Sequence, residues 1–415
     1  MKILVLSNLY PPHYVGGYEM HCQTVVEALR ARGHAVHVLT SDHGLKPGDK
    51  RQSNSGVERG LKIHGMFGHP WLNIFGLIEQ EQHNNRTLVE AIRRIQPDLV
   101  YAWNMSGLSK SMLFTLQSLQ IPTAFVVCDH WIARSAGSDV WLRWWNEKKV
   151  SLKHRLLRSI WTLSGMRRRW HRRAPTHSTR DFRFPRIYFC SAALREFTAK
   201  AGFDVLKGGV IYCPLNMHRF AGKPRTENEP FQKLLYVGRL TEDKGVMTAL
   251  RAMALLRNKF AGQLFIYGQG EKDYEEKLKT VVREEKLPVF FCAPRRPDEM
   301  PQVYDEHDAL LFTSEWAEPF ALTPLEAMAS GLPVIGTTTG GSGELLRNGE
   351  NSLTYTAGNA EELAQQILEL DKNNALRARI AAAGYGEVRS RFEETTIVNQ
   401  VETFLEETIK NWSPT

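Results

Sequence analysis

Two glutamates, Glu318 and Glu326, stand eight residues apart in the stretch SEWAEPFALTPLEAMASGLPVI. Pro324 suits the first turn of a helix, where its missing N–H would have no partner, and Gly331 suits the position that ends one. The pattern therefore predicts a short helix from about Thr323 to Ser330. The free N–H groups at its start would attract an anion such as phosphate.

Both carboxylates would lie close to this anion-binding helix end. Because a carboxylate repels bound phosphate, its placement there makes chemical sense only if it binds neutral hydroxyl groups beside the phosphates. A glutamate near a helix start can also simply complement the helix dipole, and a loop glutamate can be solvated. The spacing alone leaves hydroxyl binding and this structural interpretation both open.

Two cations follow a strand pattern in KLLYVGRLTEDKG, at Arg239 and Lys244. Two positive charges at a phosphate leaving group can stabilise the charge that develops there, as a metal ion does in other enzymes. A solvated charged loop is the alternative. The pair Gly16 and Gly17, after two prolines, indicates either a loop that lets backbone approach a ligand closely or an ordinary turn.

Short apolar runs, typical of strands buried on both faces, alternate with helical patterns along the whole chain. Two helical patterns run from about Tyr18 to Ala31 and from Asn84 to Ile95. The alternation predicts the α/β class with two doubly wound parallel sheets, and a length of 415 residues also favours two domains. We place the domains at 1–215 and 216–392. A last helical pattern in 393–415 is expected to pack back on the first domain.

The positive charge of the chain is concentrated in one segment. The composition is that of a globular protein, and the formal charge is +8, which indicates an anionic partner. Residues 143–186 hold 14 Lys and Arg residues and two acidic residues, a net +12, so the rest carries −4. Five of the ten tryptophans lie in or beside this segment: Trp141, Trp144, Trp145, Trp161 and Trp170. We treat about 134–186 as a basic, tryptophan-rich insertion.

This insertion has three interpretations. Lys and Arg with interleaved Trp are typical of a segment that binds an anionic membrane surface, or of one that binds an anionic acceptor. The same residues suit nucleic acid, although no helix-turn-helix, RNP-like or zinc-finger pattern supports that partner. A partly disordered, solvated charge run with buried tryptophans is the third interpretation.

The cysteines and the apolar runs bear on location. The five cysteines form no CxxC pair or Cys/His cluster, so we expect a reducing compartment, no disulfide framework and no metal site. The opening MKILVLSNLYPP reads as a buried strand rather than a signal peptide. No apolar run reaches the length of a spanning helix. We therefore expect a cytoplasmic protein that meets a membrane only at the surface of its inner face.

Five motifs in order resemble those of glycosyltransferase family 4, whose members are retaining enzymes with the GT-B fold. The stretch from Ser314 resembles the E-x7-E signature of that family. The other four motifs are GGYEMHCQTVVEALRARGHAVHVLT, YVGRLTEDKGVMTALRAM, YGQGEKDYEEKL and TGGSGELLRNGENSLTY. The resemblance covers nearly the whole chain. It implies two Rossmann-like domains that face a cleft, with acceptor bound by the first domain and nucleotide sugar by the second.

The resemblance also implies roles for single residues. Arg239 and Lys244 would hold the diphosphate leaving group, Glu318 would bind a donor-sugar hydroxyl near the reacting carbon, and Glu326 would bind the ribose. The remaining implied substrate contacts are Gly16, Gly17, Asp129, Gly268, Phe320, Ala321, Leu322 and Thr323. Glu344 matches a later family position, for which we assign no role.

The chain departs from the family pattern at two places. Many relatives have a histidine and then an aspartate after the strand that ends near Val127, whereas this chain reads VVCDHW. Cys128 takes the histidine position, Asp129 is retained and His130 follows. Either His130 takes over as a catalytic residue or the cleft lacks that histidine. The interdomain stretch CPLN replaces the usual N-G-V-D.

The resemblance thus implies a metal-independent hexosyltransferase without a cofactor, in polysaccharide, glycolipid or cell-envelope glycan biosynthesis. It would retain the α-configuration through attack from the leaving-group face, assisted by the departing phosphate. One rival is a nucleotide-sugar epimerase or another GT-B enzyme; a phosphorylase would need a pyridoxal-phosphate lysine, for which no segment calls. The other rival is a non-catalytic protein that binds nucleic acid or other anions through the insertion.

Overall fold

The structure is a computed structural model that describes residues 1–46, 48–49, 56–66, 71–220 and 222–413. The chain forms two compact units. The first contains Met1–Ile211 together with Val398–Thr415, and the second contains Tyr212–Ile397. The chain therefore leaves the first unit once and returns to it after the second unit is complete.

The first unit is built on a seven-stranded parallel sheet with the order β3-β2-β1-β4-β5-β6-β7. The strands are β1 (Lys2–Leu6), β2 (Ala35–Ser41), β3 (Val57–Leu61), β4 (Leu99–Ala102), β5 (Thr123–Val127), β6 (Ile187–Phe189) and β7 (Gly209–Val210). Strands β4, β5 and β6 are buried at every position, as expected for a parallel sheet that is covered on both faces.

Helices connect these strands. They are α1 (Gly17–Ala31), α2 (Ile74–Ile95), α3 (Ser111–Leu119), α4 (Val140–Asn146), α5 (Leu152–Leu163), α6 (Met166–His171) and α7 (Ala192–Lys200). A π-helical turn, Ile132–Ala136, precedes α4. The last helix of the chain, Glu394–Lys410, packs on this unit, where Glu402 accepts hydrogen bonds from Arg32 and contacts His34, both at 2.6 Å.

The second unit has a six-stranded parallel sheet with the order β10-β9-β8-β11-β12-β13. Its strands are β8 (Lys233–Val237), β9 (Gln263–Tyr267), β10 (Val289–Cys292), β11 (Ala309–Phe312), β12 (Val334–Gly336) and β13 (Leu353–Thr354). Its helices are α8 (Val246–Leu255), α9 (Lys272–Glu284), α10 (Met300–Asp305), α11 (Leu322–Ala329), α12 (Ala360–Lys372) and α13 (Asn374–Arg391), so that the final helix of the chain is α14. The predicted α/β class with two doubly wound sheets is confirmed.

In each sheet the strand order reverses beside the first strand. β1 lies between β2 and β4, and β8 lies between β9 and β11. Ligands of open α/β sheets bind at the carboxyl ends of the strands that flank such a reversal. The loops that follow β1 and β4, and those that follow β8 and β11, are therefore the places where this fold positions a site.

Three predicted helices differ from the observed ones. The helix predicted from Tyr18 begins one residue earlier, at Gly17, as α1. The helix predicted for Thr323 to Ser330 begins one residue earlier, as α11. The pattern predicted from Asn84 belongs to α2, which begins ten residues earlier at Ile74 and is capped by Asn73. The prediction missed the first half of α2, where the buried polar residues Gln80 and Glu81 interrupt the apolar pattern that Leu77 and Ile78 begin.

The polar residues of α2 form a hydrogen-bonded network with α3. Glu81, Asn84 and Asn85 are buried. Ser111 donates to Glu81 Oε2 at 2.5 Å, and Asn85 donates to Ser111 at 2.7 Å. Burial, followed by the charge of Asp139, raises the pKa of Glu81 to about 8. The two helices are thus joined by polar contacts where most helix pairs use apolar side chains.

The basic insertion folds as helices α4, α5 and α6 around its tryptophans. Trp141, Trp145 and Trp161 are buried. The rings of Trp144 and Trp161 lie 4.9 Å apart, and those of Trp161 and Trp170 lie 4.8 Å apart. The segment is therefore largely helical. The buried tryptophans and the solvated basic side chains of the third interpretation are both present.

Among the described residues, no helix is long and apolar enough to cross a membrane. The five cysteines, all of which are described, form no disulfide bond.

We predict that Glu81→Gln makes the stability of the protein less dependent on pH. The unfolded chain releases the Glu81 proton near pH 4.5, whereas the folded chain keeps it up to about pH 8, so folding loses stability as pH rises through this window. Since a glutamine stays neutral, we expect the variant to gain roughly 2 to 4 kcal/mol relative to the parent between pH 5 and 8. Chemical denaturation across this pH range measures the difference.

The matched control is Glu90→Gln, which changes an exposed glutamate of the same helix and should follow the parent. An equal pH dependence of Glu81→Gln and the parent would contradict the buried neutral carboxyl.

Candidate functional site

The loops after β8 and β11 meet through an ion pair. The ammonium of Lys244 donates to Glu318 Oε1 at 2.5 Å. The hydroxyl of Ser314 donates to the same oxygen at 2.6 Å. The Lys244 and Glu318 side chains are only 17% and 9% exposed. The pair is therefore largely shielded from water. Unlike charges attract each other strongly in such surroundings, and removing one partner is costly.

Short contacts hold both loops in place. Thr313 donates to the backbone oxygen of Lys244 at 2.7 Å. Gly245 has a φ of +65°, and a Cβ there would lie 2.0 Å from the oxygen of Thr313. Only glycine therefore allows the residue after Lys244 to approach the end of β11. The ring of Trp316 completes the surroundings, with its centroid 5.2 Å from the Lys244 ammonium.

The backbone of Glu318 is fixed by the glycines after β12. The N–H of Gly341 donates to the oxygen of Glu318 at 2.7 Å. Gly340 has a φ of +61°, and a Cβ there would lie 2.4 Å from the same oxygen. The Gly-Gly pair of the later motif thus positions the first glutamate of the signature.

Arg239 is exposed at the end of the turn that follows β8. Its backbone oxygen accepts a hydrogen bond from Tyr236 at 2.9 Å. Gly268, predicted as a substrate contact, lies against this turn, since a Cβ there would stand 1.9 Å from the oxygen of Gly238. The structure thus gives Gly268 a packing reason for being glycine, and its contact with substrate stays a prediction.

The second glutamate of the signature lies on α11. Ala321, the residue that precedes the helix, has no side chain that accepts from the free N–H groups of Leu322 and Thr323, so these remain suited to an anion. Tyr304 of α10 donates to Glu326 Oε2 at 2.7 Å. Burial raises the pKa of Glu326, although the hydrogen bond from Tyr304 lowers it.

Phe320 and Ala321 are buried. The Phe320 ring packs 5.4 Å from Tyr212 and 5.7 Å from Phe392. Tyr212 also donates to Glu344 at 3.2 Å. Phe320 thus contributes to packing within the second unit, and its main chain is the part left to meet a ligand.

In the first unit, the two glycines stand at the start of α1. The N–H of Gly16 donates to Glu19 Oε2 at 2.9 Å, and burial raises the pKa of Glu19. The Glu19 carboxylate therefore already accepts a hydrogen bond from one of the N–H groups at this helix start. This is the type of interaction that a phosphate oxygen would make there.

Asp129 follows β5 and is held by two donors. Asn104, which follows β4, donates to its Oδ2 at 3.0 Å, and the N–H of Trp131 donates to its Oδ1 at 2.8 Å. Burial raises the pKa of Asp129 to about 7, with a further contribution from Glu19, whereas the two hydrogen bonds oppose the rise. The carboxyl group can therefore hold or release a proton near neutral pH.

His130 and Cys128 lie on either side of Asp129 in the chain. His130 is buried, with its ring 4.4 Å from that of Phe197 on α7. Cys128 Sγ lies 3.6 Å from His21 Nδ1, and His21 comes from α1. The imidazole beside the cysteine is thus supplied by another element, and the catalytic role of His130 stays a prediction.

The structure brings Lys244, Glu318, Arg239 and the start of α11 to one end of the second sheet. The first unit carries Gly16, Gly17, Asp129 and His130. Sequence reasoning missed the residues that position these groups: Ser314, Trp316, Tyr304, Asn104, Glu19 and His21. Ser314 and Asn104 each follow a predicted strand, and this position could have identified them as residues near a site. Nothing in the sequence indicated Tyr304 or His21.

This arrangement can hold an anion and a sugar together. An ammonium group has three N–H donors, and one of those of Lys244 goes to Glu318. The others can donate to an anion. A divalent cation at Glu318 would have to compete with the Lys244 ammonium.

Comparison with known proteins agrees with the fold. Residues 15–219 match the sequence model described as Glycosyltransferase Family 4, and residues 220–387 match the one described as Glycosyl transferases group 1. The chain is 26% identical to glycogen synthase of Mycobacterium tuberculosis over 96% of its own length and 92% of that protein. It is 30% identical to the amylovoran biosynthesis glycosyltransferase AmsK of Erwinia amylovora, over 54% and 58%. A crystal structure of Anabaena Alr3699/HepE with UDP-glucose superposes with a TM-score of 0.67 at 21% identity, over 98% and 100%.

We predict that Lys244→Met destabilises the second unit by about 3 kcal/mol, because it leaves the Glu318 carboxylate buried beside Ser314 alone. A loss of this size lowers the melting temperature of a unit of this length by roughly 5 to 10 °C. The double variant Lys244→Met/Glu318→Gln should recover most of the loss. Differential scanning calorimetry measures both changes.

The matched control is Lys277→Met, which breaks an exposed pair with Glu242 at 3.4 Å and should hardly change the melting temperature. If Lys244→Met behaved like this control, the buried pair would not stabilise the fold.

Proposed function

Since the chain belongs to glycosyltransferase family 4, we propose that it is a retaining enzyme that uses a nucleotide-diphosphate sugar. It transfers a hexose-type sugar to an acceptor hydroxyl and keeps the α-configuration. The crystal structure of HepE with UDP-glucose supports a nucleotide-sugar donor.

The observation that carries the proposal is the contact between Lys244 and Glu318. A carboxylate beside a diphosphate would be repelled without a cation, and Lys244 supplies that cation. The lysine touches the glutamate proposed for the donor sugar and keeps two N–H donors for the phosphate. The sugar hydroxyl and the leaving-group oxygen thus bind to neighbouring groups.

The leaving group is stabilised without a metal ion in this proposal. Breaking the sugar–phosphate bond builds negative charge on the β-phosphate. Arg239, Lys244 and the free N–H groups of Leu322 and Thr323 are the positive groups for that charge. Glu326, which Tyr304 holds, binds the ribose hydroxyls.

Retention of configuration follows here without a glutamate nucleophile. Glu318 already accepts hydrogen bonds from Lys244 and Ser314, which lowers its reactivity toward carbon. The two glutamates are therefore not an acid–nucleophile pair of the glycosidase type. The acceptor hydroxyl attacks from the face that the phosphate leaves, and the departing phosphate takes its proton.

The first unit is proposed to bind the acceptor, with Asp129 as a hydrogen-bonding group. The proposed role is in polysaccharide, glycolipid or cell-envelope glycan synthesis. The relatives glycogen synthase and the amylovoran biosynthesis glycosyltransferase support the first of these. A nucleotide-sugar epimerase remains the alternative. It would change the sugar and release no sugar to an acceptor.

The donor is best identified by thermal-shift screening with UDP-, GDP- and ADP-sugars. Incubation of the stabilising donor with candidate glycan acceptors, followed by NMR of the product, then reports the configuration of the new bond. An α-linked product supports retention, and a β-linked product contradicts it. An altered nucleotide sugar without transfer supports the epimerase. Activity that survives a chelator supports metal independence, and loss of activity contradicts it.

We predict that Lys244→Ala lowers kcat by about 100-fold or more, because it removes a positive group from the developing phosphate charge. Glu326→Ala should raise the Kd of the nucleotide sugar by about tenfold, because it removes hydrogen bonds from a charged acceptor. Steady-state kinetics and calorimetric titration of the donor separate the two effects.

Two exposed residues of the same unit serve as controls. Lys259→Ala removes a positive charge and Glu284→Ala a negative charge, both outside the site. Full activity of both Lys244→Ala and Glu326→Ala would make the site assignment wrong.

A further inference from the structure

Helix α5 presents apolar side chains to solvent. Leu152, Leu156, Ile160 and Leu163 are 82%, 65%, 51% and 88% exposed. Their spacing of four, four and three residues places them on one side of the helix, as a stripe roughly 16 Å long. Ordinary surface helices show the opposite arrangement, since their exposed side is polar. We call these four residues the apolar stripe.

The apolar stripe is not the side of α5 that packs on the core of the unit. The other side of α5 is the one that packs on the protein. Trp161 is buried there among the rings of Trp144, Trp145 and Trp170. Arg158 donates to the backbone oxygens of Trp145 and Glu147 at 3.0 and 2.9 Å. The helix is thus anchored by one side, which leaves the stripe pointing away from the unit.

Aromatic and basic residues extend this surface. Phe75, at the start of α2, is 71% exposed, and its ring lies 6.5 Å from that of Trp161. Lys153 and Arg155 are exposed on either side of the stripe. Such residues can cover apolar surface with their stems while their charges stay in water.

A group of four arginines adjoins the stripe. Gly165, two residues after the end of α5, lines a surface cavity of about 480 Å³ together with arginines of and just after α6. These are Arg168, Arg169, Arg172 and Arg173. No carboxylate in the described part of the chain lies within ion-pair distance of any of the four. The cavity is therefore suited to an anionic group such as a phosphate ester.

We propose that α5 and α6 dock the protein on an anionic membrane surface. The apolar stripe enters the interface between head groups and acyl chains, with α5 parallel to the membrane plane, and the arginines bind lipid phosphates. The helix ends after twelve residues, so the contact stays at the surface. The proposal goes beyond glycosyl transfer and does not depend on the donor site.

Charge and side-chain type select lipid over the other anionic partners. A second copy of the chain would bring two segments of +12 together, which like-charge repulsion opposes. Nucleic acid would need several exposed rings for base stacking, whereas Trp141, Trp145 and Trp161 are buried and Phe75 is the exposed ring beside the stripe. The exposed apolar residues of α5 are all aliphatic, and aliphatic side chains suit acyl chains.

Vesicle sedimentation with the full-length protein tests the proposal. The parent should bind vesicles that contain phosphatidylglycerol in phosphatidylcholine, and bind pure phosphatidylcholine vesicles much less. Leu156→Asp/Leu163→Asp should bind the anionic vesicles at least roughly tenfold more weakly, because each change removes a buried apolar group. Arg168→Gln/Arg172→Gln should weaken binding roughly tenfold or more at low salt and reduce its dependence on salt.

The matched control is Leu119→Asp/Leu206→Asp, which changes two leucines of the same unit that are 40% and 61% exposed and should bind like the parent. Unchanged melting temperatures and unchanged stabilisation by the donor nucleotide sugar show that the variants are folded. Equal vesicle binding by all variants would overturn the proposal. So would retention on DNA without vesicle binding, or a dimer in light scattering that only the stripe variant loses.

Discussion

An ion pair between two loops, Lys244 with Glu318, is the interaction on which the candidate site depends. The fold brings anion-attracting helix ends to the carboxyl edge of the second sheet, and an acid at that edge is unfavourable on its own. The positive charge of Lys244 offsets the negative charge of Glu318, and the Glu318 carboxylate fixes the orientation of the Lys244 side chain. β8 and β11 must be neighbours for the two side chains to meet. A close backbone approach at Gly245 then holds the Lys244 loop against the end of β11, and another at Gly340 fixes the backbone of Glu318.

Local patterns in the sequence predicted the fold well and the site in part. Buried parallel strands are continuous apolar runs, and α11 is marked by Pro324 at one end and Gly331 at the other. The contact of Lys244 with Glu318 joins residues 74 positions apart, so it depends on strand order, which no local pattern contains. The family resemblance predicted both residues but not that they touch. Tyr304 contacts Glu326 in the second unit, and His21 lies beside Cys128 in the first. Each comes from a helix whose sequence has an ordinary surface or core pattern.

The composition of the insertion does not indicate which of its residues are exposed and can contact a partner. Its tryptophans drew attention in the sequence, yet most of them form the core that holds α4, α5 and α6 together. The large apolar residues that α5 leaves at the surface are leucines and an isoleucine, which are residue types that elsewhere in the chain form the core. Helical spacing alone does not reveal which side of α5 packs on the unit, because both sides carry large apolar groups. Only the position of Trp161 in the folded unit settles it.

The return of α14 to the first unit also has a consequence for the order in which the protein is made. Glu402 contacts Arg32 and His34, which precede it by 370 and 368 residues. During synthesis from the amino terminus, the first unit lacks its last helix until the entire second unit has left the ribosome. The second unit is one continuous segment and has no such delay, so it can complete its fold before the first unit does, contrary to the usual amino-terminal-first order.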